Sequence, residues 1–73
     1  MFELDGKAIR SLLIERQMTI RELAQRADVT ETTAQKVTRG NAKTNARTTG
    51  KVANALGVTA DKILKKGEYN NEQ

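Results

Sequence analysis

The chain is 73 residues long, with 13 Lys and Arg against 9 Asp and Glu, a net charge of +4, and no Cys, His, Pro or Trp. That length is room for one small domain, which buries only about 60% of its unfolded surface. Without Cys or His there is no disulfide framework, ordinary zinc site, thiolate nucleophile or His general base, so neither a metal nor another cofactor nor enzyme activity is expected.

Met1 to Arg10 carries Glu3 and Asp5 and does not read as a signal peptide. The longest apolar run, Leu12-Leu13-Ile14, is far too short to span a bilayer. A cytoplasmic location is expected, with neither a membrane nor a small-molecule ligand as partner. Phe2 reads as a cover for the core. Asp5 is placed to cap a first helix over about 6–16, because Leu4 and Ile9 have the spacing of a hydrophobic staple and Ile9, Leu12 and Leu13 share a face.

Thr19 and Glu22 then make a capping box, with Met18 and Leu23 as its staple. They open a second helix over about 20–26, in which Ile20, Leu23, Ala24 and Ala27 repeat at i, i+3, i+4 and i+7. Asp28, one of the few residue types that tolerate left-handed backbone, makes the turn. Thr30 caps a third helix over about 31–38, with Ala34 and Val37 inward and Gly40 turning its end.

Asn45 caps a fourth helix over about 46–56, with Ala46, Thr49, Val52, Ala53 and Leu56 inward. Gly50 in its middle costs about 1 kcal/mol relative to Ala, and Gly57 ends it. Val58 and Thr59 are expected to staple and cap a fifth short helix over about 60–65, anchored by Ile63 and Leu64. No strand pattern is visible. The expected fold is therefore all-α, a five-helix bundle forming one domain over 1–66, with a flexible C-terminal tail over 67–73.

The charge is unevenly placed. Residues 32–51 hold Lys36, Arg39, Lys43, Arg47 and Lys51 and no acid. A positive surface of this kind suits a polyanion, although a solvated face has the same composition. The basic stretch begins in the second of two short helices joined by a tight turn, the layout of a helix-turn-helix, whose second helix enters the DNA major groove. Projection of the third helix at about 100° per residue puts Thr32, Gln35, Lys36 and Arg39 opposite Ala34 and Val37, with Glu31 and Thr33 on the flanks. Lys donates to guanine O6 and N7, Gln bridges adenine N6 and N7, and Thr offers a hydroxyl or a methyl. Glu31 either accepts from cytosine N4 or serves as a first-turn carboxylate on the positive end of the helix.

The run Thr19-Ile20-Arg21-Glu22-Leu23-Ala24-Gln25-Arg26-Ala27-Asp28-Val29-Thr30, followed by Ala34, Val37 and Arg39-Gly40, resembles the helix-turn-helix of the phage Cro and repressor family. Val52-Ala53-Asn54-Ala55-Leu56-Gly57-Val58-Thr59 with Ile63-Leu64 resembles that family's fourth and fifth helices, so the likeness spans about residues 5–66. The resemblance implies a small Cro-like transcriptional repressor of a phage or mobile element, bound as a homodimer to a palindromic duplex operator. It implies base contacts from Glu31, Thr32, Thr33 and Lys36, to which the face projection adds Gln35. Phosphate contacts are implied for Thr19, Arg39, Asn41, Lys43, Asn45 and Arg47. A dimer interface is expected among Leu56, Val58, Ile63, Leu64 and Tyr69.

The chain departs from the family pattern at several positions. Ile20 replaces a frequent Gln, Asp28 a usual Gly and Ala34 a usual Ile or Val. An Arg near Leu13 and an acid near Thr38 are both missing, and the loop before the fourth helix lacks Pro. A second reading stays open, in which the same fold is an antirepressor or antitoxin-like module that binds a protein.

Overall fold

In the computed structural model, which describes residues 1–40 and 42–65, each of the four α-helices starts on the side chain expected to cap it. Asp5 accepts from the Ala8 N–H at 3.1 Å and opens α1, Gly6–Glu15. Thr19 accepts from Glu22 at 3.1 Å and opens α2, Ile20–Ala27. Thr30 accepts from Thr33 at 3.1 Å and opens α3, Glu31–Arg39. Asn45 accepts from Thr48 at 2.8 Å and opens α4, Ala46–Leu56. Such caps satisfy amides that a helix cannot satisfy itself, and each is worth about 1 kcal/mol.

The fifth helix does not form. Ala60–Lys62 is one 3-10 turn, and Thr59 makes no side-chain cap to its backbone. Its hydroxyl donates instead to the Asp61 carboxylate. The physical reason lies in the next residues. Leu64 bridges antiparallel to Leu4, the Lys65 N–H donates to Glu3 O at 2.9 Å, and the Asp5 N–H donates to Ile63 O at 2.8 Å. Extended pairing at 64–65 is incompatible with a helix through those residues.

The expectation of no strands is corrected by the same edge. β1, Phe2–Glu3, pairs antiparallel with β2, Lys43–Thr44, in the register Phe2 with Thr44 and Glu3 with Lys43. The fold is thus four α-helices and a small two-stranded sheet among the described residues.

Leu4, Ile9, Leu23, Val37, Val52, Leu56 and Ile63 are fully buried and form the centre of the core. Phe2 is half-buried and packs against it, whereas Ala46, expected inward, is exposed. Of the buried hydroxyls, Thr49 donates to Asn45 O at 2.8 Å and lies 2.7 Å from the Thr44 hydroxyl, so β2 and α4 are tied where both leave solvent.

Gly40 does not use left-handed backbone to end α3, since its φ is 161°. The close approach falls on Gly6 instead. A Cβ there would stand 2.7 Å from Gly40 N and 2.9 Å from Gly40 O, inside contact distance of backbone that cannot swing away. The Gly6 N–H also donates to Gly40 O at 3.2 Å, joining the start of α1 to the end of α3. Gly6→Ala is therefore expected to lower stability by about 1–3 kcal/mol, measured by thermal or urea unfolding. An unchanged midpoint would show that the α1–α3 junction is looser than this packing requires.

Candidate nucleic-acid interface

Two short helices and the turn between them set the site. The C-terminus of α2 is closed by Asp28 at φ 58° and ψ 48°, the left-handed conformation expected of it. The ammonium of Lys51 on α4 lies 3.2 Å from the Asp28 carbonyl and 3.7 Å from its carboxylate. Lys51, counted above only as part of a basic stretch, thus faces the turn. Thr30 then starts α3, and its hydroxyl also donates to the Thr33 hydroxyl at 3.0 Å, which ties Thr33 to the helix start.

The inner face of α3 is Ala34, Val37 and Thr38, all buried. The Thr38 hydroxyl is satisfied by Gln35 O at 2.9 Å. The guanidinium of Arg10 on α1 donates to the Thr38 carbonyl. That tie was not anticipated. Arg10 lies one turn before Leu13, near which the family places an Arg, and its partner is a backbone carbonyl rather than an acid.

On the other side, Glu31, Thr32, Gln35, Lys36 and Arg39 are exposed and Thr33 is half-buried. The side chains of Gln35, Lys36 and Arg39 have no hydrogen-bond or ion-pair partner among the described residues. Lys36 and Arg39 line one shallow pocket of about 250 Å³ together with Gly40 and Ala42. Lys43, Asn45 and Arg47 are exposed just beyond it, while Asn41 lies outside the described residues. Asn45 uses its side-chain oxygen as a cap and keeps its amide group for other contacts.

Thr19 is differently placed from the other expected phosphate contacts. Its N–H donates to a Glu22 oxygen at 2.9 Å, and its hydroxyl lies 3.3 Å from the same oxygen. A carboxylate therefore already stands at the positive end of α2. The amides of Ile20 and Arg21 have no acceptor among the described residues and remain free for an anion.

Of the residues expected to pair two copies, Leu56, Ile63 and Leu64 are buried within the chain. Val58 is half-buried, and Tyr69 lies outside the described residues. Apolar residues at helical spacing read alike whether they close a core or a dimer, and here three of them close the core.

The family model for the helix-turn-helix matches residues 9–63, from the middle of α1 to the end of the 3-10 turn. The chain belongs to the helix-turn-helix family of the Cro/C1 type. Comparison with curated proteins gives no match. Among solved structures, the gene regulator ClgR of C. glutamicum, described as the clp gene regulator, is similar at 28% identity and a TM-score of 0.66, over 77% of this chain and 73% of that one. HEPD of Streptomyces albus, solved with its substrate 2-hydroxyethylphosphonate and Fe(II), is similar at 28% identity and a TM-score of 0.71. That likeness covers 78% of this chain but only 13% of the HEPD chain. Family and regulator neighbour together support a DNA-binding transcriptional regulator. No described helix is long and apolar enough to cross a membrane.

The capping box carries a pH dependence. The Thr19 N–H donating to it holds the Glu22 carboxyl below its ordinary value, against an opposing effect of desolvation and with lesser help from the Thr19 hydroxyl and Arg26. A depressed folded pKa adds stability above the unfolded pKa that is lost as pH falls through the folded one. Glu22→Gln is expected to be less stable than wild type at neutral pH and to converge with it in acid. Melting curves from about pH 7 down to about pH 2, spanning the carboxylate range, measure this. A gap that stays constant with pH would contradict it.

Proposed function

We propose that the protein is a sequence-specific double-stranded DNA-binding repressor of the Cro-like kind, acting in the cytoplasm by occupying a palindromic operator with α3 in the major groove. The observation that carries this reading is the outer face of α3, where Gln35, Lys36 and Arg39 are exposed and without side-chain partners among the described residues while the opposite face is buried. In this reading Glu31, Thr32, Thr33, Gln35 and Lys36 meet base edges. Arg39, Asn41, Lys43, Asn45 and Arg47 hold phosphates at the end of α3 and the start of α4.

Thr19 marks the phosphate site at the start of α2, where the free Ile20 and Arg21 amides rather than its own N–H are the donors. In this reading repression works by exclusion of polymerase or a rival regulator. The domain over 1–66 carries this activity, and the tail expected over 67–73 lies outside the described residues. Two copies pair so that their α3 helices lie about 34 Å apart, one duplex turn. Of the described residues expected at that interface, Val58 is the one with substantial surface to offer.

Selection of bound duplexes from random DNA tests the reading, and a palindrome with half-sites about ten base pairs apart is the expected product. On that duplex Lys36→Ala should weaken binding by about 1–3 kcal/mol and relax the preference at one base pair. Lys43→Ala should weaken all sequences alike and flatten the salt dependence. If Lys36→Ala binds like wild type, α3 is not the reader. A salt-insensitive complex with a protein and none with any duplex would favour the antirepressor or antitoxin-like reading.

A further inference from the structure

The least expected group on the outer face of α3 is an acid. Glu31 is its first residue, with a side chain 53% exposed, and a lone carboxylate there would be repelled by every phosphate of an approaching duplex. It is not alone. Its Oε2 lies 3.6 Å from Nε of Arg21, the second residue of α2, whose side chain is 78% exposed. An exposed pair at this distance contributes little to folding, so stability does not account for the arrangement.

The geometry of the guanidinium does. Arg21 meets Glu31 through Nε, and its two terminal nitrogens have no acceptor among the described residues. Arginine presents its donors in a fixed planar fork, so one edge can hold a carboxylate while another meets a phosphate. Arg21 also carries one of the two free amides at the start of α2, where a phosphate is proposed to lie. Ile20 has no polar atom with which to bridge from that helix to α3, so Arg21 is the neighbouring side chain able to do so.

We propose that Arg21 is a positioning residue that bridges a DNA phosphate to Glu31, and that Glu31 held in this way reads a cytosine through its N4 amino group. This rests on the DNA-binding reading above. Arg21 leaves one carboxylate oxygen of Glu31 free to accept from the base, and it offsets the negative charge that phosphates would otherwise oppose. Cytosine is the base that presents an amino donor in the major groove without an adjacent N7 acceptor, which a carboxylate would repel.

A double-mutant cycle on the selected duplex and its single-base variants tests the proposal, with melting curves run on each protein. Both side chains are exposed, so Arg21→Ala and Glu31→Gln are expected to fold. Arg21→Ala should bind about tenfold or more weaker, because a phosphate contact is lost and a carboxylate is left unpaired beside the DNA. Glu31→Gln should keep affinity within a few-fold but lose the preference for cytosine at one position. The double variant should bind several-fold tighter than Arg21→Ala alone, and Arg21→Lys should restore charge without restoring base preference. Effects that simply multiply, or a cytosine preference that survives Glu31→Gln, would overturn this assignment while leaving the DNA reading intact. A wild-type protein that prefers no duplex over another would overturn both.

Discussion

A nine-residue helix does not persist in water, since isolated helices below about 12–15 residues are marginal. α3 exists because it is held on one side and at both ends. Ala34, Val37 and Thr38 bury its inner face. Thr30 caps its start, next to the turn that Lys51 touches at Asp28. Arg10 takes the Thr38 carbonyl near its end, and Gly6 lets α1 come within contact of Gly40. Small inward residues place the helix axis close to its neighbours, and the outward side chains stand clear as a consequence. The function assigned to Gln35, Lys36 and Arg39 is thus a by-product of how tightly the opposite face is held.

Charge follows the same division. Two of the three acids of the helix-turn-helix sit at helix starts, where the dipole favours them, and the third, Asp28, closes the end of α2 beside Lys51. Glu22 closes the capping box of α2 and Glu31 stands in the first turn of α3. The bases Lys36, Arg39, Lys43 and Arg47 run from the last turns of α3 through β2 to the first turn of α4. The surface is therefore graded, with acids at the helix starts and bases beyond. Exposed ion pairs contribute about 0–1 kcal/mol or less to folding, so this gradient matters for what approaches the protein more than for what holds it together.

The parts legible in the sequence are those governed by near neighbours. A cap and its amide lie three residues apart, so Asp5, Thr19, Thr30 and Asn45 announced four helix starts. The left-handed turn at Asp28 and the two faces of α3 also depend only on local geometry. What was missed depends on residues far apart in the chain. Strands of two residues have no periodicity to read, and the pairing of Phe2–Glu3 with Lys43–Thr44 and of Leu4 with Leu64 joins the ends of the fold. That pairing is also why Ile63 and Leu64 leave the expected fifth helix and enter the core. Arg10 and Gly6 find their partners 28 and 34 residues away on α3 and its end, beyond any motif.

The central claim is that the outer face of α3 is the surface that meets a duplex. Amide and side-chain NMR shifts on titration with the selected operator test it most directly. The account predicts the largest changes at Thr32, Gln35, Lys36 and Arg39 and at the start of α2, fading across the core-facing side. Shifts centred on the far side of the molecule, or none at α3 while complex forms, would contradict it.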